Sequence, residues 1–311
     1  MTRDDVLVLG GTGFLGRHLL PRLAARGARI TVPTRHPHLA RELHVLPQLR
    51  VVPTHIGDPE SLPSLIPPGG TVIQLVGILS EGRGAEAGFE AVHVELTRRV
   101  LAAARRAGVR RYLHVSALGA GVDHPPSRYL ASKKAAEDLV RASGLAATIF
   151  RPAVVAGPDG GAATLFARLV RTLPVLPLAA ASSRLAPVAV DDVARALLRA
   201  LDDPHTIGKT YELCGPEETT LAGFVRAVAH AMDRRVRVLP LPDGLARIEA
   251  GLFEHLPGRL LTRDQLRSLE VPGVCTGEGL TALGLMPTPL TAALAGLGAR
   301  KKVPMDSAGR S

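Results

Sequence analysis

The fold of this chain is decided by residues 6–35, VLVLGGTGFLGRHLLPRLAARGARITVPTR. The first four residues are aliphatic, as is typical of a parallel strand buried on both faces. Gly10, Gly13 and Gly16 come next, followed by leucines at helical spacing and by a second predicted strand over 29–34. Such a glycine turn lets the backbone approach a pyrophosphate, and the helix N-terminus offers it free N–H groups. The stretch therefore predicts a dinucleotide-binding unit, with an ordinary glycine-rich turn as the alternative.

The end of the second predicted strand indicates which dinucleotide binds. Proteins that prefer NAD usually carry an Asp or Glu there, which binds the ribose 2′-hydroxyl. This chain has Thr34-Arg35-His36 instead, and an Arg can bind a 2′-phosphate through two charge-assisted hydrogen bonds. Arg35 therefore favours NADP(H) over NAD(H), unless it only reflects the abundance of Arg in this sequence. The predicted cofactor contacts in this unit are Arg35 and six turn residues: Gly10, Thr12, Gly13, Phe14, Leu15 and Gly16.

The rest of the first half continues the alternation of strands and helices. This alternation predicts an α/β fold with a doubly wound parallel sheet, the Rossmann fold. Asp58, after the third strand, is expected to cap the next helix, to contact the adenine, or both. Val76 and Gly77, where the fourth strand ends, are small enough to let the cofactor cross the sheet edge. The predicted strands are 50–52, 71–76, 110–115, 146–150 and 210–213, and the predicted helices include 89–107 and 131–143.

The alternation changes after residue 151, where Gly, Pro and Ala become frequent. Residues 1–151, completed by 188–213, are therefore predicted to form the dinucleotide-binding core. Residues 152–187 and 214–299 are predicted to form a smaller C-terminal lobe that binds a substrate or a partner. The polar residues 300–311 are predicted to be a disordered tail.

Composition excludes several classes of function. The net charge is +10, but aromatic residues are only 3% and the charges are scattered, which argues against nucleic-acid binding. A basic surface could still face an anionic membrane or an acidic partner. Residues 279–298 carry no charge, yet their Gly and Pro argue against a transmembrane segment.

The two cysteines, Cys214 and Cys275, lie far apart in the sequence and form no metal-binding pattern. No metal site is predicted. They also predict no disulfide scaffold and hence a reducing compartment. The chain starts with MTRDD and runs straight into a strand, without the pattern of a signal peptide, so a cytoplasmic location is predicted.

A candidate catalytic group follows the fifth predicted strand. Tyr129 and Lys133 stand four residues apart, which places both side chains on one face of a helix. A nearby ammonium can lower the pKa of a tyrosine that must move a proton near neutral pH. Ser116 ends the fifth strand and could donate a hydrogen bond to a substrate carbonyl. The alternative is an amphipathic helix start with a Lys that reaches the surface.

With these residues in place, the chain resembles the short-chain dehydrogenase/reductase superfamily. The resemblance rests on GGTGFLG at 10–16, HVSALGA at 114–120, YLASK at 129–133, FRPAVVAGP at 150–158 and VAVDDVA at 188–194. The C-terminal stretches LTRDQLRSL at 261–269 and LTALGLMPTPL at 280–290 resemble the members related to the alpha-subcomplex subunit 9 of respiratory complex I and its bacterial relatives.

The resemblance carries expectations about cofactor, partner and location. It implies that Arg151 and Pro152 also contact the cofactor, and that Lys133 contacts the ribose hydroxyls next to the nicotinamide. It implies tightly held NADPH and a structural role in a membrane-associated, quinone-reducing complex, with attachment at the inner face of the membrane.

One departure leaves catalytic turnover open. Active members of the superfamily usually place an Asn early in the helix before the fifth strand, where it supports a water relay to the Lys, but this chain has His93-Val94-Glu95. Three hypotheses follow. The protein is an NADP(H)-binding accessory protein, an active NADP-dependent oxidoreductase or epimerase on a small or isoprenoid-like carbonyl substrate, or an NADPH-sensing regulatory module.

Overall fold

The computed structural model describes residues 4–56, 61–82, 84, 87–241 and 262–298. Its strands are β1 (Asp5–Leu9), β2 (Arg29–Thr34), β3 (Leu49–Pro53), β4 (Thr71–Gln74), β5 (Arg111–Val115), β6 (Ala147–Pro152), β7 (Val155–Ala156), β8 (Val175–Leu178), β9 (Arg184–Leu185), β10 (Val188–Ala189), β11 (Thr210–Leu213), β12 (Thr219–Thr220) and β13 (Arg237–Pro240). Its α-helices are α1 (Phe14–Ala25), α2 (Ser61–Leu65), α3 (Leu96–Arg106), α4 (Arg128–Ala142), α5 (Gly161–Thr172), α6 (Val190–Asp202), α7 (Leu221–Ala231), α8 (Arg263–Ser268), α9 (Gly279–Ala282) and α10 (Leu290–Ala293).

Seven of these strands form one parallel sheet in the order β11-β6-β5-β4-β1-β2-β3. The order reverses between β1 and β4, which is the switch point where an open parallel sheet binds ligands at its carboxyl edge. All five residues of β5 are buried, as expected of a central strand covered on both faces. The predicted doubly wound Rossmann fold is confirmed.

Helices cover both faces of the sheet. On one face, α1 and α6 pack through Leu19, Leu23 and Leu197, which are all at most 1% exposed. On the other face, α3 packs Val100 against the buried ring of Tyr112 on β5. This second face also receives α4, which packs on α3. The carboxyl end of β1 leads directly into α1, and Lys133 on α4 binds the carbonyl oxygen of Val115 at the carboxyl end of β5.

A separate hydrophobic cluster forms outside the sheet. It is built mainly from α5, α7 and α10, and the rings of Phe166 and Phe224 meet edge-on at its centre with centroids 6.1 Å apart. The boundaries of the predicted core and lobe stay a prediction. Asp58 and the tail 300–311 lie outside the described residues.

Two helices differ from their predicted form. The predicted helix over 131–143 begins at Arg128, because the Ser127 hydroxyl caps it by accepting a hydrogen bond from the Leu130 N–H at 3.1 Å. The predicted helix over 89–107 begins with a π-helical segment, Glu90–Glu95, and continues as α3.

The expectation about the cysteines is wrong, because Cys214 and Cys275 form a disulfide across 61 residues of sequence. The segment after α8 returns along the carboxyl end of β11, where Glu212 accepts hydrogen bonds from the N–H and hydroxyl of Thr276 at 2.8 and 3.0 Å. This tertiary contact brings the thiols together. The cysteines therefore give no argument for a reducing compartment.

Within the described part of the chain, no helix is both long and apolar enough to span a membrane. The same residues contain no cluster of three or more His, Cys, Asp or Glu side chains suited to a metal ion.

Candidate functional site

The glycine turn between β1 and α1 is closely packed. Gly10 has a φ of +79°, and a Cβ on it would lie 3.1 Å from the Val76 backbone nitrogen. A Cβ on Gly16 would lie 2.1 Å from the carbonyl oxygen of Gly11, so only glycine fits there. No side chain caps the N-terminus of α1 at Gly13. The turn therefore leaves the first N–H groups of the helix for an anionic ligand.

A cavity of about 810 Å³ opens along the carboxyl edge of the sheet next to this turn. Most residues that the sequence singles out line it. From the cofactor prediction these are Gly10, Thr12, Gly13, Phe14, Leu15, Gly16, Arg35, Val76, Gly77, Lys133 and Pro152, and from the catalytic prediction Ser116, Tyr129 and Lys133.

The lining of the cavity divides into two walls. The amino-terminal wall, formed by lining residues between 10 and 99, contains the glycine turn and the charged side chains of Arg35, Glu95 and Arg99. The carboxyl-terminal wall comprises lining residues between 115 and 273. Among its described residues, Lys133 carries the only charged side chain. Apolar side chains such as Leu118, Leu130, Leu185, Leu269 and Val271 make up most of this wall.

Arg151 does not line the cavity, and its cofactor contact stays a prediction. Its guanidinium binds Glu137 on α4 through two hydrogen bonds of 2.9 and 2.7 Å, and Arg141 adds a third at 2.5 Å. Glu137 is fully buried. Burial alone would raise the pKa of Glu137, but its hydrogen bonds to Arg151, Ser116 and Arg141 and the charge of Arg151 together hold the pKa below its ordinary value. In this structure, the guanidinium of Arg151 therefore neutralises a buried carboxylate.

Lys133 lies at the junction of the two walls and is 4% exposed. Its Nζ donates a hydrogen bond to the carbonyl oxygen of Val115 at 3.1 Å. A Cβ on Gly77 would lie 3.1 Å from the same Nζ, so the glycine leaves room for the ammonium and for a ligand beside it. Burial lowers the pKa of Lys133 to about 8, and the negative charge of Glu137 partly offsets this effect.

Tyr129 occupies the first turn of α4 beside Lys133. Asp264, at the start of α8, accepts hydrogen bonds from the backbone N–H groups of Arg128 and Tyr129 at 2.8 and 3.0 Å, and so caps this turn. Burial raises the pKa of Tyr129 to about 12, which is opposite to the predicted lowering by Lys133. Within this structure the phenol is therefore a protonated group that can donate a proton.

Ser116 follows β5 and is 4% exposed. Its Oγ lies beside the Glu137 carboxylate and makes no hydrogen bond of normal geometry with the described residues. Because Ser116 lines the cavity, this hydroxyl can donate to an oxygen atom of a ligand there.

His93 stands where the superfamily usually places Asn, and it is 2% exposed. Its ring lies 5.7 Å from the ring of Tyr129, between centroids. The sequence identified this departure but not its contacts. It also missed Arg99, which lies in no quoted motif, and Asp264, which lies within 261–269 but reaches the site only through its hydrogen bonds to the start of α4.

The residues present fit a nicotinamide dinucleotide. Three glycines clear the space beside the turn and beside Lys133, the uncapped helix N-terminus faces the turn, and Arg35 lies at the end of β2. These are the parts that bind a pyrophosphate and an adenosine ribose in a Rossmann fold.

Comparison with known proteins agrees with this geometry. A protein-family model described as NAD(P)H-binding matches residues 10–204. The chain is 35% identical over 285 residues to the mitochondrial NADH dehydrogenase [ubiquinone] 1 alpha subcomplex subunit 9 of Arabidopsis thaliana, covering 88% of this chain and 70% of that protein. It is also 36% identical over 245 residues to a ceramide reductase of Caulobacter vibrioides, covering 78% and 74%.

Solved structures show the same fold. An NADPH-dependent quinone oxidoreductase from Escherichia coli, solved with NADPH, superposes with a TM-score of 0.73 at 19% identity, covering 93% of this chain and 98% of that one. Taken together, the glycine turn, the parallel sheet and the matches along the chain identify a nicotinamide-dinucleotide protein. The chain belongs to the NAD(P)H-binding family, alongside the complex I subunit 9 proteins.

Proposed function

We propose that the protein binds NADP(H) in this cavity and reduces an uncharged carbonyl or quinone. The observation that carries the proposal is the convergence of Ser116, Tyr129 and Lys133 in the cavity that the glycine turn also lines. A bound NADPH would supply the hydride. The chain itself would bind the cofactor, orient the carbonyl and deliver a proton.

The preference for the phosphorylated dinucleotide is part of the proposal and rests on Arg35. Arg35 is exposed where it lines the cavity at the end of β2, in the position from which a Rossmann fold contacts the adenosine ribose. A guanidinium there favours a 2′-phosphate, and this wall supplies no carboxylate at the end of β2 that would repel one.

The chemical roles follow from the protonation of each group. Tyr129, whose pKa burial raises to about 12, keeps its proton until a carbonyl oxygen takes it. Ser116 donates a hydrogen bond to the same oxygen. Lys133 holds the cofactor ribose and, below its pKa of about 8, supplies a positive charge that stabilises the phenolate left after proton transfer.

The carboxyl-terminal wall supports an uncharged substrate. Its described side chains offer many apolar groups and no guanidinium or carboxylate for a charged substrate group. An isoprenoid-like carbonyl compound or a quinone matches such a wall, whereas a sugar nucleotide would leave its phosphates without partners.

A second candidate function is that of an accessory subunit that holds NADPH without turnover. The likeness to subunits of NADH dehydrogenase favours it, and so does His93 in place of the relay Asn. In this role the protein would attach at the face of a membrane-associated respiratory or quinone-linked complex.

The test is a panel of short-chain quinones and aliphatic ketones added to the NADPH-loaded protein, with oxidation followed by the absorbance of the reduced nicotinamide. Oxidation that depends on one class of compound supports the reductase. Retained, unoxidised NADPH across the whole panel supports the accessory role and contradicts the reductase.

A further inference from the structure

His93 connects two segments of the cavity lining, and the proposed reaction gives its side chain no role. It belongs to the π-helical segment Glu90–Glu95 that precedes α3, and its side chain is 2% exposed. π-helical turns are rare and occur frequently at functional sites. We therefore expect this segment to have a function besides its packing against α3.

Both ring nitrogens of His93 have protein partners. The backbone N–H of Ile78 donates to Nε2 at 3.0 Å, so Nε2 carries no proton. Nδ1 therefore carries the proton and donates it to Ser132 Oγ at 2.8 Å, while the Ser132 hydroxyl donates to the carbonyl oxygen of Tyr129 at 2.7 Å. The imidazole thus joins the segment after β4 to the first turn of α4.

Burial, with the nearby Lys133, keeps the ring neutral. Burial, followed by the nearby Lys133 and His114, lowers the pKa of His93 to about 2. Lys133 is close, because a Cβ on Gly77 would lie 3.1 Å from Lys133 Nζ and 3.6 Å from His93 Nε2. A neutral ring with both nitrogens engaged has no free donor or acceptor for a proton relay.

The ring also packs against the tyrosine that donates the proton in the proposed function. His93 stacks on Phe89 with centroids 5.7 Å apart and meets Tyr129 nearly edge-on at 5.7 Å. Phe89 and Tyr129 also touch, at 5.8 Å. The three rings form one cluster, so the imidazole fixes both the orientation of the phenol and the path of Gly77 and Ile78 along the cavity.

We propose that His93 is a positioning residue whose Nδ1-protonated imidazole holds Gly77 and Ile78 against the cofactor and orients Tyr129, and that it relays no proton. The expected effects on NADPH rest on the proposed function. The protonation of the imidazole does not, so it can be measured whether or not that function holds.

The first test is ¹⁵N NMR of the full-length protein with labelled histidine, in which the His93→Gln variant identifies the signal of His93 among the eleven histidines. We expect a protonated Nδ1, a bare Nε2 and no titration while the pH falls from about 8 to about 5, where a histidine of ordinary pKa gains a proton. A proton on Nε2, or a titration near the ordinary pKa of histidine, would overturn the proposal.

The second test is a matched pair of variants. His93→Gln keeps an acceptor for Ile78 and a donor for Ser132, whereas His93→Phe keeps a ring and loses both hydrogen bonds. We expect His93→Phe to bind NADPH about tenfold more weakly, because the partly buried N–H of Ile78 loses its acceptor, and His93→Gln to stay within about threefold of wild type. The exposed His124→Gln serves as the control.

The outcomes separate the two proposals. If His93→Phe, shown folded by circular dichroism, binds NADPH like wild type, the positioning role is wrong. If the wild type binds no NADPH, the proposed function is wrong, and the NMR measurement still decides the state of His93. Where a quinone oxidises NADPH, His93→Phe should lower kcat and leave KM for the quinone unchanged. A raised KM with an unchanged kcat would contradict the positioning role of His93.

Discussion

The two walls of the cavity differ in what they can recognise. The amino-terminal wall combines backbone N–H groups with Arg35, Glu95 and Arg99, so it can distinguish one charged ligand from another. The described carboxyl-terminal wall has Lys133 as its single charge and is otherwise mostly apolar. In the proposed function, local charge and backbone shape would specify the cofactor, whereas the substrate would be selected mainly by being uncharged.

The largest expected effect on cofactor binding is that of Gly13→Val in the amino-terminal wall. A Cβ at Gly13 meets only the Gly10 carbonyl oxygen, at 3.1 Å, so we expect the fold to survive. The branched side chain would occupy the space in front of α1 where the pyrophosphate is expected, and NADPH binding should be lost. Gly277→Val is the matched control, because a Cβ there meets nothing within 4 Å. A folded Gly13→Val protein that retains NADPH would contradict the assignment of this wall.

The junction of the walls is tested by Tyr129→Phe. Loss of the donated proton should lower any NADPH-dependent reduction by about 10²- to 10⁴-fold, the usual range for general acid catalysis. NADPH affinity should stay nearly unchanged, since the phenol is not the main cofactor contact. Tyr211→Phe on β11, whose ring stacks on Phe150 away from the cavity, is the control. If the reduction rate is unchanged in Tyr129→Phe, Tyr129 is not the general acid.

The charge discrimination of the amino-terminal wall is tested by Arg35→Ala. Titration calorimetry should show NADPH binding weakened by roughly 1.5–3 kcal/mol, the range for hydrogen bonds to charged groups, with NADH binding nearly unchanged. Arg41→Ala removes another exposed guanidinium, one that does not line the cavity, and should change neither affinity. Equal losses for both nucleotides in Arg35→Ala would show that Arg35 does not contact the 2′-phosphate.

The apolar character of the carboxyl-terminal wall is tested by Val271→Asp. A carboxylate placed in this wall should weaken the binding of an uncharged quinone about tenfold, because its desolvation is unfavourable, and should leave NADPH binding unchanged. Val271→Thr, which conserves the shape, should have a smaller effect. If Val271→Asp weakens NADPH instead, the division between the walls is wrong.

The smallest expected effect is a pH dependence of NADPH affinity, caused by Lys133 at the junction of the two walls. Burial lowers the pKa of Lys133 to about 8, so the ammonium that holds the ribose is lost as the pH rises through that value. NADPH affinity should therefore fall about threefold between pH 7 and 9, in line with the loss of one modest hydrogen bond. Lys133→Met should bind more weakly and show a flat profile. A wild-type profile that is also flat would show that the ammonium makes no cofactor contact.

Much of the fold and of the amino-terminal wall could be predicted because the deciding contacts are local. The aliphatic strand, the glycine turn and α1 are consecutive in sequence, and a Cβ on Gly16 would meet the backbone of Gly11 in the same turn. Tyr129 and Lys133 share a helical face through their spacing alone. Such features can be predicted because the residues that form the sequence pattern are the same residues that make the contacts.

The rest depends on tertiary contacts that no local pattern contains. Arg151 lies within a recognised motif, but the direction of its side chain is set by the ion pair with the buried Glu137 on α4. Burial, which depends on the whole fold, reverses the expected pKa shift of Tyr129. The disulfide between Cys214 and Cys275 forms because a distant segment returns to the end of β11. The carboxyl-terminal wall likewise joins residues more than 100 positions apart, such as Leu118 and Val271.

The most direct test of the central claim is the identity of the nucleotide that the protein holds. The full-length protein is purified without added nucleotide and denatured, and the released small molecules are identified by mass spectrometry and tested for exchange against added NADPH and NADH. We expect NADP(H), which added NADPH displaces and an equal concentration of NADH does not. Recovery of NAD(H), or equal displacement by both nucleotides, would contradict that claim.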